Sequence, residues 1–479
     1  MSARHVVVVG AGPAGLAAAR AAADAGARVT LLDAADVLGG QYWRHLPDVR
    51  PAGQEQVLHH RWGTYRALSE GLLAHPAVTV LPSAQVWSLE RLDHGVRLNV
   101  LVGEPDGAGR EAVPLEPDAL VLATGAHDRT LPFPGWQLPG VYTAGAAQAL
   151  AKGERVAVGR RVVVAGAGPF LLPVASSLLR TGARVLGVHE ASRTGALARW
   201  LDRPWELLGA AGKAGELAGY VRELAAHRVP WRPGEAVVAA HGDGQVEAVT
   251  VARLDARWAP VPGTERQVAA DAVAVSHGFT PRLELAIAAG CELTPGRFVV
   301  VDAAQATSVP GVWAAGEITG IGGADAALAE GTVAGTAAAG DDLGSAGAAR
   351  AVRARDRARG FAARIEAAHG IRGGWVRWLR DDTVVCRCEE TTYGRVREVV
   401  DLTGSREARS VKLTSRAGLG PCQARTCGRT LQELLGDAGA APGVDRRPLV
   451  VPVRLGDLAA LPAPSTSSSD SITTTGDLP

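Results

Sequence analysis

Four of the chain's five cysteines fall in two short stretches, "CRCEETTYGRV" beginning at Cys386 and "GPCQARTCG" around Cys422 and Cys427. With Cys388 their spacing is C-x-C, then 33 residues, then C-x4-C. Four thiols so grouped suit three kinds of chemistry: disulfides, a tetrahedral zinc site or a [2Fe–2S] cluster. Stable disulfides belong to oxidising compartments. The N-terminal "HVVVV" is too short for a signal-peptide core and runs into "GAGPAG" rather than a cleavage site, so a cytoplasmic location is expected. Zinc sites usually draw on C-x2-C pairs, which neither spacing provides. The fifth cysteine, Cys291, stands alone in "AAGCELTPGRF" and reads as a small buried hydrophobe.

A different chemistry is written into "HVVVVGAGPAGLAAARAAADAGARVTLLD". An apolar run, Val6 to Val9, suits a buried parallel strand. Gly10, Gly12 and Gly15, with Ala11, Pro13 and Ala14 between them, then form G-x-G-x-x-G. The first glycine permits the turn, the second admits a pyrophosphate to the backbone, and the third lets helix and strand close up. The helix N-terminus offers unpaired N–H groups and a partial positive charge to phosphates. The next strand, "ARVTLLD", ends at Asp33, placed for a ribose 2′-hydroxyl.

The same unit recurs about 155 residues later in "GRRVVVAGAGPFLLPVASSLLRTGARVLGVHE". Gly166, Gly168 and Glu190 repeat the pattern, but Leu171 replaces the third glycine and Pro173 falls in the expected first helical turns. A leucine there pushes the helix from the strand or needs a small residue opposite.

Further segments carry a resemblance: "DAADVLGGQYW", "LVLATGAHDRTLPFPG", "AVSHGFTPRLEL" and "ATSVPGVWAAGEITGIGG". Together they resemble the two-dinucleotide-domain flavoproteins of the glutathione-reductase-like superfamily. The resemblance implies FAD at the first site, on Gly40, Gln41, Val86, Thr124, Gly125, Gly316 and Glu317 as well as the residues above. Glu317 would meet the ribityl chain in place of the family's usual Asp. It also implies NAD(P) or another adenine nucleotide at Gly166, Gly168 and Glu190, where the missing glycine equally suits an empty or structural site. Disulfide reductases of that superfamily place a cysteine pair beside the flavin; here Gln41 and Tyr42 follow Gly40 and no cysteine precedes Cys291, which excludes that activity.

The four-cysteine segment resembles the bacterioferritin-associated ferredoxin-like domain. That implies a [2Fe–2S] cluster on Cys386, Cys388, Cys422 and Cys427, with Arg387, Arg416, Arg425 and Arg429 available to offset its charge. The expected elements are an entry turn with the first two cysteines, a helix opened by Thr391 or Thr392, a second leading to "AGLGPC", and a third near Cys427.

The expected architecture is α/β: two Rossmann-like dinucleotide-binding domains plus a small helical ferredoxin-like module. Its expected parts are a first FAD-domain segment (1–155), the second nucleotide domain (156–275), the returning FAD segment (276–340), a helical linker (341–380), the [2Fe–2S] module (381–440) and a tail (441–479) that turns Ser/Thr-rich and disordered. The net charge of +1 gives no field for nucleic acid, and no apolar run approaches the ~20 residues of a membrane span.

This order of modules resembles the α (A) subunits of bacterial amine and amino-acid dehydrogenase complexes, such as those of opine oxidase, hydrogen cyanide synthase, D-hydroxyproline and L-proline dehydrogenases and sarcosine oxidase. The resemblance implies a D-amino-acid-oxidase-like flavoprotein β subunit that oxidises the substrate, sometimes a small ferredoxin-like subunit, and an α chain that passes electrons on. No residue reads as a substrate base; Arg44 and Arg129, near the flavin segments, read as solvated side chains rather than carboxylate clamps. Two other readings stand beside it: a self-contained NAD(P)H-dependent FAD/iron–sulfur oxidoreductase, and a zinc-stabilised non-catalytic scaffold.

Overall fold

The computed structural model describes residues 3–47, 50, 55–105, 107, 109–129, 131–197, 211–436, 447 and 449–459. The Ser/Thr-rich end of the tail lies outside them. Two five-stranded parallel sheets organise the chain. The first orders Val312–Ala314, Ala119–Leu122, His5–Val9, Arg28–Leu32 and Val78–Leu81. Its central strand is buried end to end, as its unbroken valines require. Helix α1 (Pro13–Asp24) crosses this sheet, and its alanine-rich face is fully buried. The second sheet orders Trp231–Pro233, Arg184–Glu190, Arg161–Gly166, Ala272–Ser276 and Val141–Thr143.

The last of these strands corrects the expected boundary at residue 155. Val141–Thr143 pairs with Val273–Val275, and the following helix α2 (Ala144–Gly153) packs its alanines into the core of the second sheet. The chain crosses between domains earlier, through a two-stranded antiparallel ribbon of Ala126–Asp128 and Phe279–Pro281.

Leucine at position 171 has the consequence its size demands. Helix α1 begins at Pro13, three residues after Gly10; helix α3 (Leu171–Arg180) begins five residues after Gly166. At Gly15 an added Cβ would lie 1.7 Å from the Gly10 carbonyl oxygen, so no side chain fits that approach. The second unit opens an extra turn, and Leu171 goes into the core with 1 % exposure. Pro173 then sits in the first helical turn, where its missing N–H would have had no partner.

Helix α4 (Ala211–Ala226) packs against α3. Helix α5 (Gly323–Ala339) lies against α1 through glycines at Gly331 and Gly335, where a Cβ would strike the Ala14 and Ala18 carbonyls at 2.0 and 2.1 Å. The charged segment forms helix α6 (Ala346–His369), capped by the Ser345 hydroxyl, and it is not a loose linker: it packs along α5. The tail's first part also packs, with Val450 buried in the first sheet's core and its N–H donating to the Trp87 carbonyl at 2.8 Å. Among the described residues no helix is long and apolar enough to cross a membrane.

Candidate functional site

One continuous cavity of about 2830 Å³ runs between the two sheets and on to the cysteine module. Single-ligand pockets are roughly 300–1,000 Å³, so this space exceeds one occupant. Gly10, Gly12, Pro13, Ala14, Asp33, Gly40, Gln41, Val86, Thr124, Gly125, Gly316 and Glu317 all line it. Ala11 and Gly15 do not; they are buried behind the turn. The sequence-derived FAD residues therefore converge, although they come from six separated segments. Asp33 holds the turn itself: Ala11 N–H donates to Oδ2 at 2.5 Å and Ala35 N–H to Oδ1 at 2.8 Å. Burial raises its carboxyl above the ordinary range, against these hydrogen bonds.

Glu317 lines the same cavity. Burial, and then the nearby carboxylates of Asp128 and Glu330, push it up to about 7. Its unfolded value lies near 4.5, so between about 4.5 and 7 the unfolded chain binds fewer protons than the folded one. Stability attributable to Glu317 therefore falls as pH rises across that window. Glu317→Gln apoprotein should match wild type near pH 4.5 and exceed it above pH 7 by about 1–3 kcal/mol, read by urea unfolding at stepped pH.

Glu330, behind Glu317, is fully engaged: Oε2 accepts from Gly316 N–H and the Thr319 hydroxyl, and Oε1 from Arg359 of α6 at 2.7 Å. Helix α6 thus braces the segment expected to close on the flavin.

At the second site Glu190 accepts from Gly168 N–H and Ser192 N–H, both at 2.9 Å, much as Asp33 serves its own turn. It differs in a third neighbour. His369, at the end of α6, brings Nδ1 to 3.4 Å from Glu190 Oε1, and its Cβ stands over Gly168. Helix α6 comes from far along the chain, and nothing in the local motif announces this cover.

In the cysteine module Cys386 and Cys427 are buried, Cys422 is partly buried and Cys388 is exposed. The thiols adjoin in sequence as Cys386–Cys427, Cys427–Cys422 and Cys422–Cys388. Among the described residues no three His, Cys, Asp or Glu side chains converge as one metal ion would require. The hydrogen bond with Cys427 pulls Cys386 down to about 6 and Cys422 to about 4, while the same hydrogen bonds push Cys427 up and burial raises Cys388. Gly418 N–H points at Cys386 Sγ at 3.3 Å, the arrangement expected of a loop that donates to sulfur. Gly420 has no room for a side chain, since a Cβ would lie 2.3 Å from Cys388 Cβ.

The module's elements are as expected. Thr392 caps Tyr393–Thr403 by accepting from Arg395 N–H, Ala408–Ser415 follows, and Cys427 precedes Gly428–Leu434. The four arginines are committed elsewhere. Arg416 pairs with Glu389, Arg425 with Glu284 and Arg429 with Glu433, while Arg387 stacks 5.1 Å over Trp136.

Arg425–Glu284 docks the module on the flavin side, and Arg387–Trp136 ties it to the second nucleotide domain, whose core holds Trp136. Arg129 forms a half-buried ion pair with Glu433, which removes it as a clamp, and Trp136 Nε1 donates to the Val384 carbonyl. His127 Nε2 meets the Arg425 carbonyl at 3.0 Å, inside the loop between Cys422 and Cys427. His127 and Asp128 lie in the crossing ribbon just past the A-T-G turn, and neither was singled out from sequence. Asp128 is raised by burial and accepts from Gly145 N–H at the start of α2. Cys291 is buried in the first sheet's core, as expected of an inert thiol.

Two family models match this arrangement: pyridine nucleotide-disulphide oxidoreductase over residues 4–331, and the BFD-like [2Fe-2S] binding domain over 384–437. The chain belongs to the pyridine nucleotide-disulphide oxidoreductase family. It is 34% identical over 475 residues to the A subunit of opine oxidase from Rhizobium meliloti, covering 95% of this chain and 87% of that one. It is 32% identical over 442 residues to hydrogen cyanide synthase subunit HcnB of Pseudomonas protegens, covering 88% and 89%. Its fold matches the crystal structure of L-proline dehydrogenase from P. horikoshii with a TM-score of 0.66 at 18% identity, over 95% of this chain and 79% of that one. The chain is thus an FAD-dependent oxidoreductase of this subunit family, with FAD and a [2Fe–2S] cluster as its cofactors. The zinc reading is set aside.

Cys422→Ser removes one thiolate and should drop bound iron to a small fraction of wild type. FAD should stay, because its residues belong to other elements. Iron and flavin per protein, measured after anaerobic purification, check both.

Proposed function

We propose that this chain is the electron-transfer subunit of a multi-subunit dehydrogenase or oxidase acting on an amino acid, an opine or a related secondary amine. A D-amino-acid-oxidase-like flavoprotein partner takes the hydride from the carbon beside nitrogen, and this chain relays the electrons. FAD accepts electrons in pairs and releases them singly, and a [2Fe–2S] cluster carries one at a time. The observation that carries the reading is the cavity's continuity from the FAD residues to Cys422, Ala424, Arg425 and Thr426 of the cysteine loop. His127 lines that passage and holds the same loop. The relatives are named as subunits, which supports an assembly of several chains.

A self-contained NAD(P)H reductase is the weaker reading. It needs Glu190 for a nucleotide ribose, and His369 stands beside Glu190 and over Gly168, a cover that Asp33 does not have among the described residues.

The test is anaerobic photoreduction of the chain loaded with both cofactors. Flavin bleaching should be followed by the paramagnetic signal of a reduced cluster, while NADH and NADPH bleach the flavin no faster than buffer. Glu284→Gln, which loosens Arg425 without touching a cysteine, should slow the transfer several-fold at unchanged iron content. A cluster that stays oxidised in wild type while the flavin is reduced sinks the relay.

A further inference from the structure

Lys152 is buried at 6 % exposure in the cavity wall, on α2 of the second sheet. Its Nζ makes a single hydrogen bond, to the Tyr42 carbonyl at 3.3 Å, and lies 5.7 Å from the Tyr42 ring centre. Among the described residues no carboxylate pairs with it, whereas the other buried cation among them, Arg355, has Asp356 at 2.9 Å. An ammonium has three donors, so two are left for whatever fills the cavity. A buried charge without partners is costly, and the cost falls on this group: burial alone pulls the amine down to about 8. Gln148, one turn earlier on α2, is also buried at 7 % exposure and lines the same cavity. Its amide lies 3.5 Å from Ser177 Oγ, a weak contact. The two side chains, at i and i+4, share one face of the helix. Tyr42 and, from α4, Tyr220 line this part of the cavity too.

The FAD pyrophosphate does not need this amine. The N-terminus of α1 at Gly12–Ala14, on the other sheet, offers the free N–H groups that would meet its charge. The cavity has volume for a second occupant. The chain has only three lysines, and one of them stands buried at this wall as a compact, strongly hydrated ammonium.

We propose that Lys152 and Gln148 form a seat for the carboxylate of a small organic acid in the wall of the shared cavity, beside the Gly40–Tyr42 segment and apart from the N-terminus of α1. The ammonium contributes the charge, and the Gln148 amide donates beside it. The choice of an amino acid or 2-oxo acid as the occupant rests on the reading of amine oxidation above; the seat itself does not.

The test uses the full chain loaded with FAD and cluster. Pyruvate and L-proline are titrated separately, with inorganic phosphate as a second anion, and binding is read from flavin difference absorption and from thermal shift. Saturable binding of pyruvate or proline is expected. Loss of one charge-assisted contact should weaken it about tenfold or more in Lys152→Met, with FAD content unchanged. Lys152→Arg, which keeps the charge, should retain part of it, and Gln148→Leu should lose less than Lys152→Met. Three outcomes overturn the proposal: no saturable response in wild type, phosphate bound as well as the carboxylates, or loss of FAD in Lys152→Met while Lys152→Arg stays loaded. The last would assign the amine to the cofactor. Photoreduction of the cluster depends on none of these, so the relay stands or falls separately.

Discussion

Purified alone, the chain should turn over neither proline, sarcosine, glycine nor an opine in a dye-linked assay; co-expressed with the proposed flavoprotein β subunit, it should turn over one of them. Oxidising a carbon–nitrogen bond needs the carbon held against a flavin, with the substrate carboxylate clamped nearby. The groups gathered where the crossing ribbon meets the FAD-closing segment, Asp128, Glu317 and Glu330, are acids, and the one cation bonded to them among the described residues, Arg359, is already paired with Glu330. The arginines that sequence offers as clamps are otherwise placed: Arg129 is paired with Glu433, and Arg44 lies with its stem against Gly153 and its charge near Asp33. Lys152 can seat a carboxylate, but seating is not oxidation. In the assembled pair, Cys386→Ser or Cys427→Ser should then cut turnover severely while leaving substrate binding in the β subunit intact, because only the exit for electrons is lost. The assay compares the single chain, the pair and the two variants with each substrate. Robust turnover by the single chain refutes the subunit reading.

What could be read from sequence was whatever is encoded locally. The Gly10–Gly15 turn, the Thr392 cap and the C-x-C and C-x4-C loops each depend on neighbours a few residues away, so composition and spacing carry them. The conflict at Leu171 was readable but not its outcome: sequence offered a displaced helix or a small residue opposite, and the helix instead starts later, at Leu171. The rest depends on distant partners. His369 reaches Glu190 across 179 positions, and His127 reaches Arg425 across 298. Neither contact leaves a periodicity or a motif. The domain boundary failed for a related reason: Val141–Thr143 is a three-residue strand, too short to declare which sheet it joins. Lys152 was visible only as a rare lysine; its significance lies in the carboxylate that is not beside it, which no single sequence displays.

Gly12→Val should yield a folded protein that keeps its iron but purifies with only traces of FAD, whereas Gly15→Ala should fail to accumulate as folded protein. The two glycines are three residues apart in one motif, and the structure separates their roles. An added Cβ at Gly15 meets the Gly10 carbonyl oxygen at 1.7 Å, and Gly10 itself, at φ +102°, leaves a Cβ 2.3 Å from the Ala123 carbonyl oxygen. Those contacts are backbone against backbone, inside the crossing of strand and helix, and cannot relax without parting α1 from the sheet. Gly12 is different. Its φ of −74° is open to any residue, and the nearest atom to an added Cβ is Gly40 Cα at 3.9 Å. The fold tolerates a side chain there; the cavity does not, because valine's methyls would project where a pyrophosphate must approach the first N–H groups of α1. Gly168→Val, the matching change at the second site, should leave flavin content near wild type, with a stability cost of about 1–2 kcal/mol from its φ of +96°. Flavin-to-protein ratio, iron content and the thermal midpoint of each variant distinguish these outcomes. Full FAD retention in Gly12→Val would mean that the first glycine-rich turn is not where the cofactor's phosphates lie.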